Sequence, residues 1–254
     1  MINYYKQKFT ASIFILGLLM LFSTQAQAQL FGGQIRPSTS VKCGANVSGT
    51  YKAFMCHNLG ANTALDPFTY VVGNANGSGG TLGYLYQWGR QTDGHELRNS
   101  LTQAGPVTLP VAARFITNLG GTFDWRSPQN NNLWLDSSKT ANDPCPAGYR
   151  VPTQAQWGGT FRGGTTSGAP GTATQNTWTW TGNGFTVGTD LYLPAAGYRY
   201  VITATLTNFG TNGCYWSSTV FGTNAHFLNF NSGNVNPGNN SYRGNGISVR
   251  CIAE

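Results

Sequence analysis

Short runs of alternating apolar and polar residues, separated by glycine, proline and asparagine, make up most of this chain. Alternation with a period of two residues predicts a strand with one buried face. With 34 glycines and 11 prolines between such runs, we predict short strands joined by turns and loops, including a loop over 158–181. The predicted strands are Tyr51–Met55, Thr69–Val72, Leu82–Trp88, Phe185–Val187, Asp190–Leu193, Ala225–Phe230 and Ile247–Ile252.

Two segments carry the signals of a helix. Proline begins the segment Pro110–Leu119, and Gly120 follows it, which is typical of a helix start and stop. The second helix is predicted to begin at Thr153, because Thr153 and Gln156 have the spacing of a capping box. Trp157 would face inward from this helix, and the two glycines that follow it would keep the helix short.

The N-terminus has the pattern of a secretory signal peptide. Lys6 and Lys8 precede an apolar run, Ala11–Phe22, and Ala26-Gln27-Ala28 is a small-x-small cleavage site. The run is shorter than the ~20 residues that span a bilayer, and no later apolar run is long enough to do so. The sequence predicts a signal peptide over 1–28, cleaved after Ala28, a secreted or cell-surface protein, and no transmembrane segment after cleavage.

No composition shift divides the rest of the chain. We predict a leader or linker over 29–42 and one domain over 43–254.

Only 9% of the residues are charged, against about 25% in ordinary domains, so asparagine, serine, threonine and glycine must cover the surface. The net charge is +7, but the basic residues are scattered singly. Nucleic-acid binding requires a basic stripe, so no nucleic-acid partner is predicted.

The cysteines predict two disulfides and one free thiol. An exported chain meets an oxidising compartment, and the spacing of its cysteines fits neither a CxxC redox motif nor a zinc cluster. We predict the pairs Cys43–Cys56, which closes a short loop, and Cys145–Cys251, which ties the middle of the chain to the last predicted strand. Cys214 is then unpaired, and we expect it to be a small buried apolar residue.

Six motifs occur in an order that resembles the Fibrobacter succinogenes major paralogous domain, a family of exported bacterial proteins. The resemblance covers Cys43 to Cys251. It implies an α+β, C-type-lectin-like fold, similar to that of the formylglycine-generating enzyme, with small twisted antiparallel sheets, two short helices and long irregular loops. Most members of the family have no assigned role. The motifs are Phe54-Met55-Cys56-His57-Asn58-Leu59-Gly60, Gly83-Tyr84-Leu85-Tyr86-Gln87-Trp88-Gly89-Arg90, Asp143-Pro144-Cys145-Pro146-Ala147-Gly148-Tyr149-Arg150-Val151-Pro152-Thr153, Leu193-Pro194-Ala195-Ala196-Gly197-Tyr198-Arg199, Tyr215-Trp216-Ser217-Ser218-Thr219 and Ser248-Val249-Arg250-Cys251.

The segment from Tyr215 to Cys251 also resembles the variable regions of proteins diversified by retroelements. In those proteins, mutation of adenines in asparagine codons lets one lectin-like scaffold present many binding surfaces. Ordinary family members also carry asparagine-rich loops here, so the pattern alone leaves diversification open. Asparagine, serine and tyrosine supply adaptable hydrogen bonds and rigid contact area. The predicted ligand-binding residues are Tyr215, Ser217, Asn224, His226, Asn239, Asn240, Tyr242 and Asn245.

Catalytic signals are sparse. The chain has eight acidic residues, without the local carboxylate pair of a glycosidase, and Asp93–Glu96 is more typical of a turn than of a metal or acid–base site. The three histidines, His57, His95 and His226, are each expected to be structural or on the surface. The sequence therefore predicts no catalytic residue and no cofactor.

The fold that the resemblance implies occurs in proteins with two metal-dependent activities. A formylglycine-generating oxidase needs a pair of cysteines for copper, and Cys214 lacks a second thiolate. Calcium prefers six to eight oxygen ligands, usually including carboxylates, and no acidic residue lies between 214 and 245. The sequence thus predicts no metal ligands.

We therefore expect an exported, non-catalytic, lectin-like or adhesin-like protein that binds a ligand through a polar loop over 215–245. The expected partner is an extracellular protein or glycan. A structural interaction protein of the cell envelope is the alternative, and an oxidase of the formylglycine-generating type is the third interpretation.

Overall fold

The computed structural model describes residues 28–31, 34–37, 42–173 and 175–254. The chain divides into two units, residues 1–40 and 41–254. In the first unit, β1 (Ala28–Phe31) and β2 (Gln34–Pro37) form an antiparallel pair. The predicted signal peptide lies outside the described residues except for Ala28. No helix in the described ranges is both long and apolar enough to cross a membrane.

The second unit is rich in β-structure, and its described part has a single α-helix. Its sheets are small and antiparallel, apart from the parallel pair β6–β7; the larger ones have the orders β12-β11-β10-β9, β14-β13-β18-β5 and β15-β16-β17. The elements are β3 (Gly44–Val47), β4 (Thr50–Ala53), β5 (Tyr86–Gln87), β6 (Leu101–Ala104), β7 (Arg114–Thr117), β8 (Tyr149–Arg150), α1 (Gln154–Thr160), β9 (Gly171–Thr172), β10 (Thr177–Trp180), β11 (Gly184–Val187), β12 (Leu191–Pro194), β13 (Tyr198–Arg199), β14 (Leu206–Thr207), β15 (Gly213–Phe221), β16 (Asn224–Asn231), β17 (Asn234–Ser241), β18 (Gly246–Ile247) and β19 (Ile252–Ala253).

Helix α1 begins where the sequence predicted. Thr153 is its N-cap, and the capping box is complete: the Gln156 backbone N–H donates to Thr153 Oγ1, while the Thr153 N–H donates to Gln156 Oε1. These bonds satisfy backbone donors that the first helical turn leaves free. Trp157 is fully buried, as its position on the inner face required.

The helix predicted over Pro110–Leu119 is wrong. Ala113 has a φ of 59°, a left-handed conformation that cannot continue an α-helix. The residues that follow form β7, which pairs in parallel with β6. Phe115 and Ile116 are fully buried in this strand, and their aromatic and β-branched side chains favour a strand over a helix.

Several predicted strands also differ from the structure. No strand forms over Thr69–Val72, and only Tyr86–Gln87 of the segment Leu82–Trp88 pairs as a strand. The last predicted strand is divided into β18 and β19. The strands β11, β12 and β16 lie at their predicted places.

Two buried clusters meet at the sheet β15–β17. Because successive residues of a strand point to opposite faces, β15 contributes Tyr215 to one cluster and Cys214 and Trp216 to the other. The first cluster also contains Trp157 and Trp178, and the second contains Trp88 and Trp134. The sheet therefore has a packed face on each side, and only part of its surface remains for a ligand.

Both predicted disulfides are present. Cys43 pairs with Cys56 across the end of the β3–β4 hairpin, and Cys145 pairs with Cys251 near the C-terminus. Cys214 is the free cysteine and is 4% exposed.

Candidate functional site

The asparagine-rich segment predicted as a loop is largely strand. Strands β15, β16 and β17 form an antiparallel meander with register irregularities between Trp216 and Val220 and between Phe227 and Asn229. Strand β17 is at the edge of this sheet, where Pro237 is tolerated because an edge strand has unpaired backbone groups. The asparagine side chains are thus held on a regular backbone.

A cleft of about 430 Å³ opens between this sheet and the strands β13 and β18. Its lining residues come from distant parts of the sequence, chiefly 198–214 and 224–247. They are Tyr198, Tyr200, Asn208, Asn212, Cys214, Asn224, Phe227, Asn229, Asn240, Ser241, Tyr242, Asn245 and Ile247. The volume lies within the range of about 300–1,000 Å³ typical of small-ligand pockets.

Four predicted ligand-binding residues meet in this cleft: Asn224, Asn240, Tyr242 and Asn245. The other four do not line it. Tyr215 and Ser217 are fully buried; the Tyr215 hydroxyl donates to the Pro194 carbonyl at 2.6 Å, and the Ser217 hydroxyl donates to the His226 carbonyl at 2.9 Å. Because these two side chains have no accessible surface, they do not belong to the candidate site.

His226 and Asn239 are half-buried outside the cleft lining. His226 Nδ1 lies 3.2 Å from the carbonyl oxygens of Gly238 and Asn239, so the imidazole links β16 to β17. Asn239 Oδ1 accepts from the Asn240 backbone N–H. Both side chains therefore hold the strand that carries Asn240.

The sequence analysis missed six polar lining residues: Tyr198, Tyr200, Asn208, Asn212, Asn229 and Ser241. Tyr198 lies in one of the family-like motifs, and the two asparagines before β15 lie in a threonine- and asparagine-rich segment. Because this composition resembles that of the C-terminal segment, it could have marked these residues as binding candidates. Their convergence on the cleft could not be predicted from the sequence, because it depends on the pairing of β13 with β18.

Some polar groups in the cleft are fixed by the protein itself. Asn224 Nδ2 donates to Asn240 Oδ1 at 2.8 Å, which joins the central strand β16 to the edge strand β17. Asn245 Oδ1 accepts from the Val201 backbone N–H at 2.8 Å, and its Nδ2 donates to Ser241 Oγ at 2.9 Å. These bonds set the shape of the cleft before a ligand enters.

Other polar groups are free to bind a ligand. Among the described residues, the hydroxyls of Tyr198, Tyr200 and Tyr242 and the side-chain amide of Asn208 have no hydrogen-bond partner. Tyr242 is 38% exposed, and its ring packs on Phe123 with the centroids 4.6 Å apart. The cleft therefore combines a fixed frame with unoccupied donors and acceptors.

The buried guanidinium of Arg243 supports the rim. Arg243 Nε donates to the Asn224 carbonyl at 3.2 Å, and one terminal nitrogen donates to the Gly222 carbonyl and to Asn131 Oδ1. Its guanidinium also lies over the Trp88 ring at 4.6 Å. Since its side chain is only 1% exposed, Arg243 presents no charge to the cleft.

The lining is electrically neutral. The described residues that line it include no aspartate, glutamate, lysine, arginine or histidine. Burial raises the pKa of the Cys214 thiol to about 12, so this side chain is a neutral thiol at physiological pH. Its Sγ lies 3.8 Å from Asn229 Oδ1.

A second polar cluster, Asp93, His95 and Glu96, lies outside the cleft, and their ligand atoms are within 4.8 Å of one another. His95 Nε2 accepts from the Gln87 backbone N–H at 3.1 Å, which places the ring proton on Nδ1, 2.7 Å from Asp93 Oδ1. Burial lowers the pKa of His95 to about 4, so the ring is neutral. Both ring nitrogens are occupied, and the cluster forms a hydrogen-bonded turn.

His57 is also engaged. Its Nε2 lies 3.0 Å from the Leu65 carbonyl oxygen, and burial lowers the pKa of His57.

All five cysteines are described, and only Cys214 lies outside a disulfide. A two-cysteine copper site therefore has just one available thiol.

No protein-family model matches the chain, and neither does a curated protein or a solved structure. The interpretation of the cleft therefore depends on its own geometry and on the motifs in the sequence.

Proposed function

We propose that the chain is an exported, non-catalytic protein that binds a ligand in the cleft beside the sheet β15–β17. One observation carries the proposal: asparagine and tyrosine side chains distant in sequence converge on one concave, neutral surface, where several polar groups have no partner within the described residues. The scaffold is proposed to be C-type-lectin-like, of the Fibrobacter succinogenes major paralogous type, on the strength of the six ordered motifs.

Preorganisation of the cleft supports a binding role. The Asn224–Asn240 bond and the bonds of Asn245 immobilise side chains that would otherwise lose rotamer freedom on binding. Such side chains cost roughly 0.5–1.5 kcal/mol each when a ligand orders them. A frame that is already ordered lets more of the contact energy appear as affinity.

The location of the cleft also fits diversification of its lining. Asn224, Asn229 and Asn240 lie in the segment that resembles retroelement variable regions, and they are only partly buried or exposed. Substitution there would alter the ligand surface without entering either buried cluster. In contrast, substitution of Tyr215 would remove a core ring.

A binding screen with matched variants tests the proposal. The purified mature chain is applied to an array that carries glycans, peptides and extracellular proteins, and each hit is measured again with Tyr200→Phe and Asn208→Gly. Asn208 has a φ of 60°, which glycine adopts without strain. Loss of a hydrogen bond to the ligand should weaken binding by about 3- to 10-fold in each variant.

The control variants carry the same two types of substitution at positions outside the cleft. Tyr149→Phe and Asn183→Gly remove the same groups from residues outside the cleft, and Asn183 has a φ of 61°. These controls should bind like the original chain. Ligands whose affinity is unchanged by both cleft variants would contradict the proposal and favour an interaction surface elsewhere.

A further inference from the structure

The absence of charge in the cleft restricts its ligand. A charged group that enters it loses water and finds no ionised side chain in the lining, which is unfavourable unless the charge is paired. Two arginines adjoin lining residues in sequence, and both are buried. Arg199 donates to the Ala204 and Ser100 carbonyls. Arg243 donates to the Gly222 and Asn224 carbonyls and to Asn131 Oδ1. The site therefore favours an uncharged ligand.

The free polar groups of the cleft match hydroxyl groups. The three tyrosine hydroxyls can each donate and accept, and the Asn208 amide offers a donor and an acceptor side by side. A hydroxyl on the ligand also donates and accepts, so neighbouring hydroxyls can pair with these groups in more than one arrangement. The partly exposed Tyr242 ring adds an apolar surface against which carbon-bound hydrogens can pack.

The shape of the site favours a small group over a protein surface. A standard protein interface covers about 800 Å² on each partner and has an apolar centre. Here the polar groups instead surround a cleft of about 430 Å³, whose apolar floor residues Phe227 and Ile247 are buried.

We infer that the cleft binds an uncharged, polyhydroxylated ligand: a neutral sugar, either free or as the end of a glycan. This inference rests on the proposed function and specifies its ligand class. No carboxylate is found among the described residues around the cleft, and calcium sites usually include carboxylates. Binding therefore proceeds through direct hydrogen bonds to tyrosine and asparagine and does not require calcium.

Titration calorimetry with defined sugars tests this inference. The probes are glucose, galactose, mannose and N-acetylglucosamine, together with glucuronic, galacturonic and sialic acids, each titrated with and without EDTA. At least one neutral sugar should bind at least about 10-fold more tightly than every acidic one. Its affinity should change less than about two-fold between low and high salt, because screening acts on charges.

Variants of cleft residues test whether the neutral sugar binds in the cleft. Tyr200→Phe and Asn208→Gly should each weaken binding of the neutral sugar by about 3- to 10-fold, whereas Tyr149→Phe and Asn183→Gly should not. Thermal unfolding of each variant verifies that it is folded. Stronger binding of an acidic sugar, or loss of binding in EDTA, would overturn the inference.

Absence of sugar binding would also overturn it. If the array then yields a peptide or protein whose affinity falls in the cleft variants, the proposed binding function stands with a different ligand class. If no ligand responds to the cleft variants, both proposals fail.

Discussion

Asparagine has two roles in this protein, and its partners distinguish them. Asn58 and Asn176 are buried, and each uses its amide to satisfy backbone or arginine groups from distant segments. Asn208 is exposed and has no side-chain partner among the described residues. Because a buried amide must be hydrogen-bonded, the first kind stabilises the fold, whereas the second kind is available to a ligand.

Cys214 should resist alkylation in the folded protein. Its thiol is 4% exposed, and burial raises its pKa to about 12, from an ordinary value of 9.0. The reactive thiolate is therefore roughly 1,000-fold scarcer at pH 8 than in an ordinary cysteine. Mass spectrometry after iodoacetamide treatment should find no label on the native chain and one label after denaturation without reduction.

An exposed cysteine provides the control for Cys214. Thr223→Cys introduces a thiol in the exposed turn between β15 and β16, and this thiol should be labelled rapidly in the native state. Labelling of native Cys214 at a similar rate would contradict the assigned burial.

Buried arginines hold together elements that have few regular backbone bonds. Arg98 donates to the carbonyls of Gly83 and Ala196, and Arg199 donates to those of Ala204 and Ser100. Arg250 donates to Asn58 Oδ1 and to the carbonyls of Met55 and Cys56. The fixed fork of a guanidinium bonds several acceptors at once, so one side chain joins a short strand to an irregular loop.

Arg250→Met should destabilise the domain strongly. The substitution leaves Asn58 Oδ1 and two carbonyls without their donor in a region that is almost inaccessible to water, since Arg250 is 1% exposed. Buried unsatisfied acceptors cost about 1–3 kcal/mol each, so we expect a loss of the order of 3 kcal/mol in the free energy of unfolding. Urea denaturation measures it.

Two further variants make the Arg250 result specific. Arg250→Lys keeps the charge but lacks the fork, and it should lose an intermediate amount. Arg114→Met, at a half-buried arginine whose side chain has no hydrogen bond within the described residues, should change stability by less than about 0.5 kcal/mol. Equal losses for Arg250→Met and Arg114→Met would disprove the bridging role.

Two buried clusters on opposite faces of β15–β17 give the larger unit its architecture. Strand β15 contributes to both clusters, so packing on one face is connected to packing on the other. The Cys145–Cys251 disulfide lies in the second cluster and links residues 106 positions apart. The cleft opens on this same side, since Cys214, Phe227 and Ile247 belong both to the cluster and to the lining.

Removal of the Cys145–Cys251 disulfide should cost more stability than removal of the Cys43–Cys56 disulfide. The sequence separations are 106 and 13 residues, for which chain entropy gives about 5 and about 3 kcal/mol. Paired alanine variants, Cys145→Ala/Cys251→Ala and Cys43→Ala/Cys56→Ala, are compared by urea denaturation. A larger loss for the 43–56 pair would show that loop length does not dominate.

Local signals in the sequence were sufficient where the structure is locally determined. The capping box of α1 requires residues only three positions apart, and the alternation in β11 and β16 records the two faces of each strand. In these elements the physical cause lies within a short segment. Both disulfide pairs were also predicted and are present, but five cysteines allow many pairings, and the fold is what brings Cys145 and Cys251 together across 106 positions.

Tertiary contacts decided the rest. Proline and glycine at 110 and 120 resembled helix ends, but pairing with β6 and burial of Phe115 and Ile116 made that segment a strand. The asparagine-rich segment became a sheet because β15 and β16 supply backbone partners for it. The alternation of side chains along β15 then buried Tyr215. Pairing of β13 with β14 and β18 brought the neighbouring Tyr200 and Asn208 to the cleft with Tyr242. The sequence by itself determined which residue types were available for binding, whereas long-range strand pairing decided which of them share one surface.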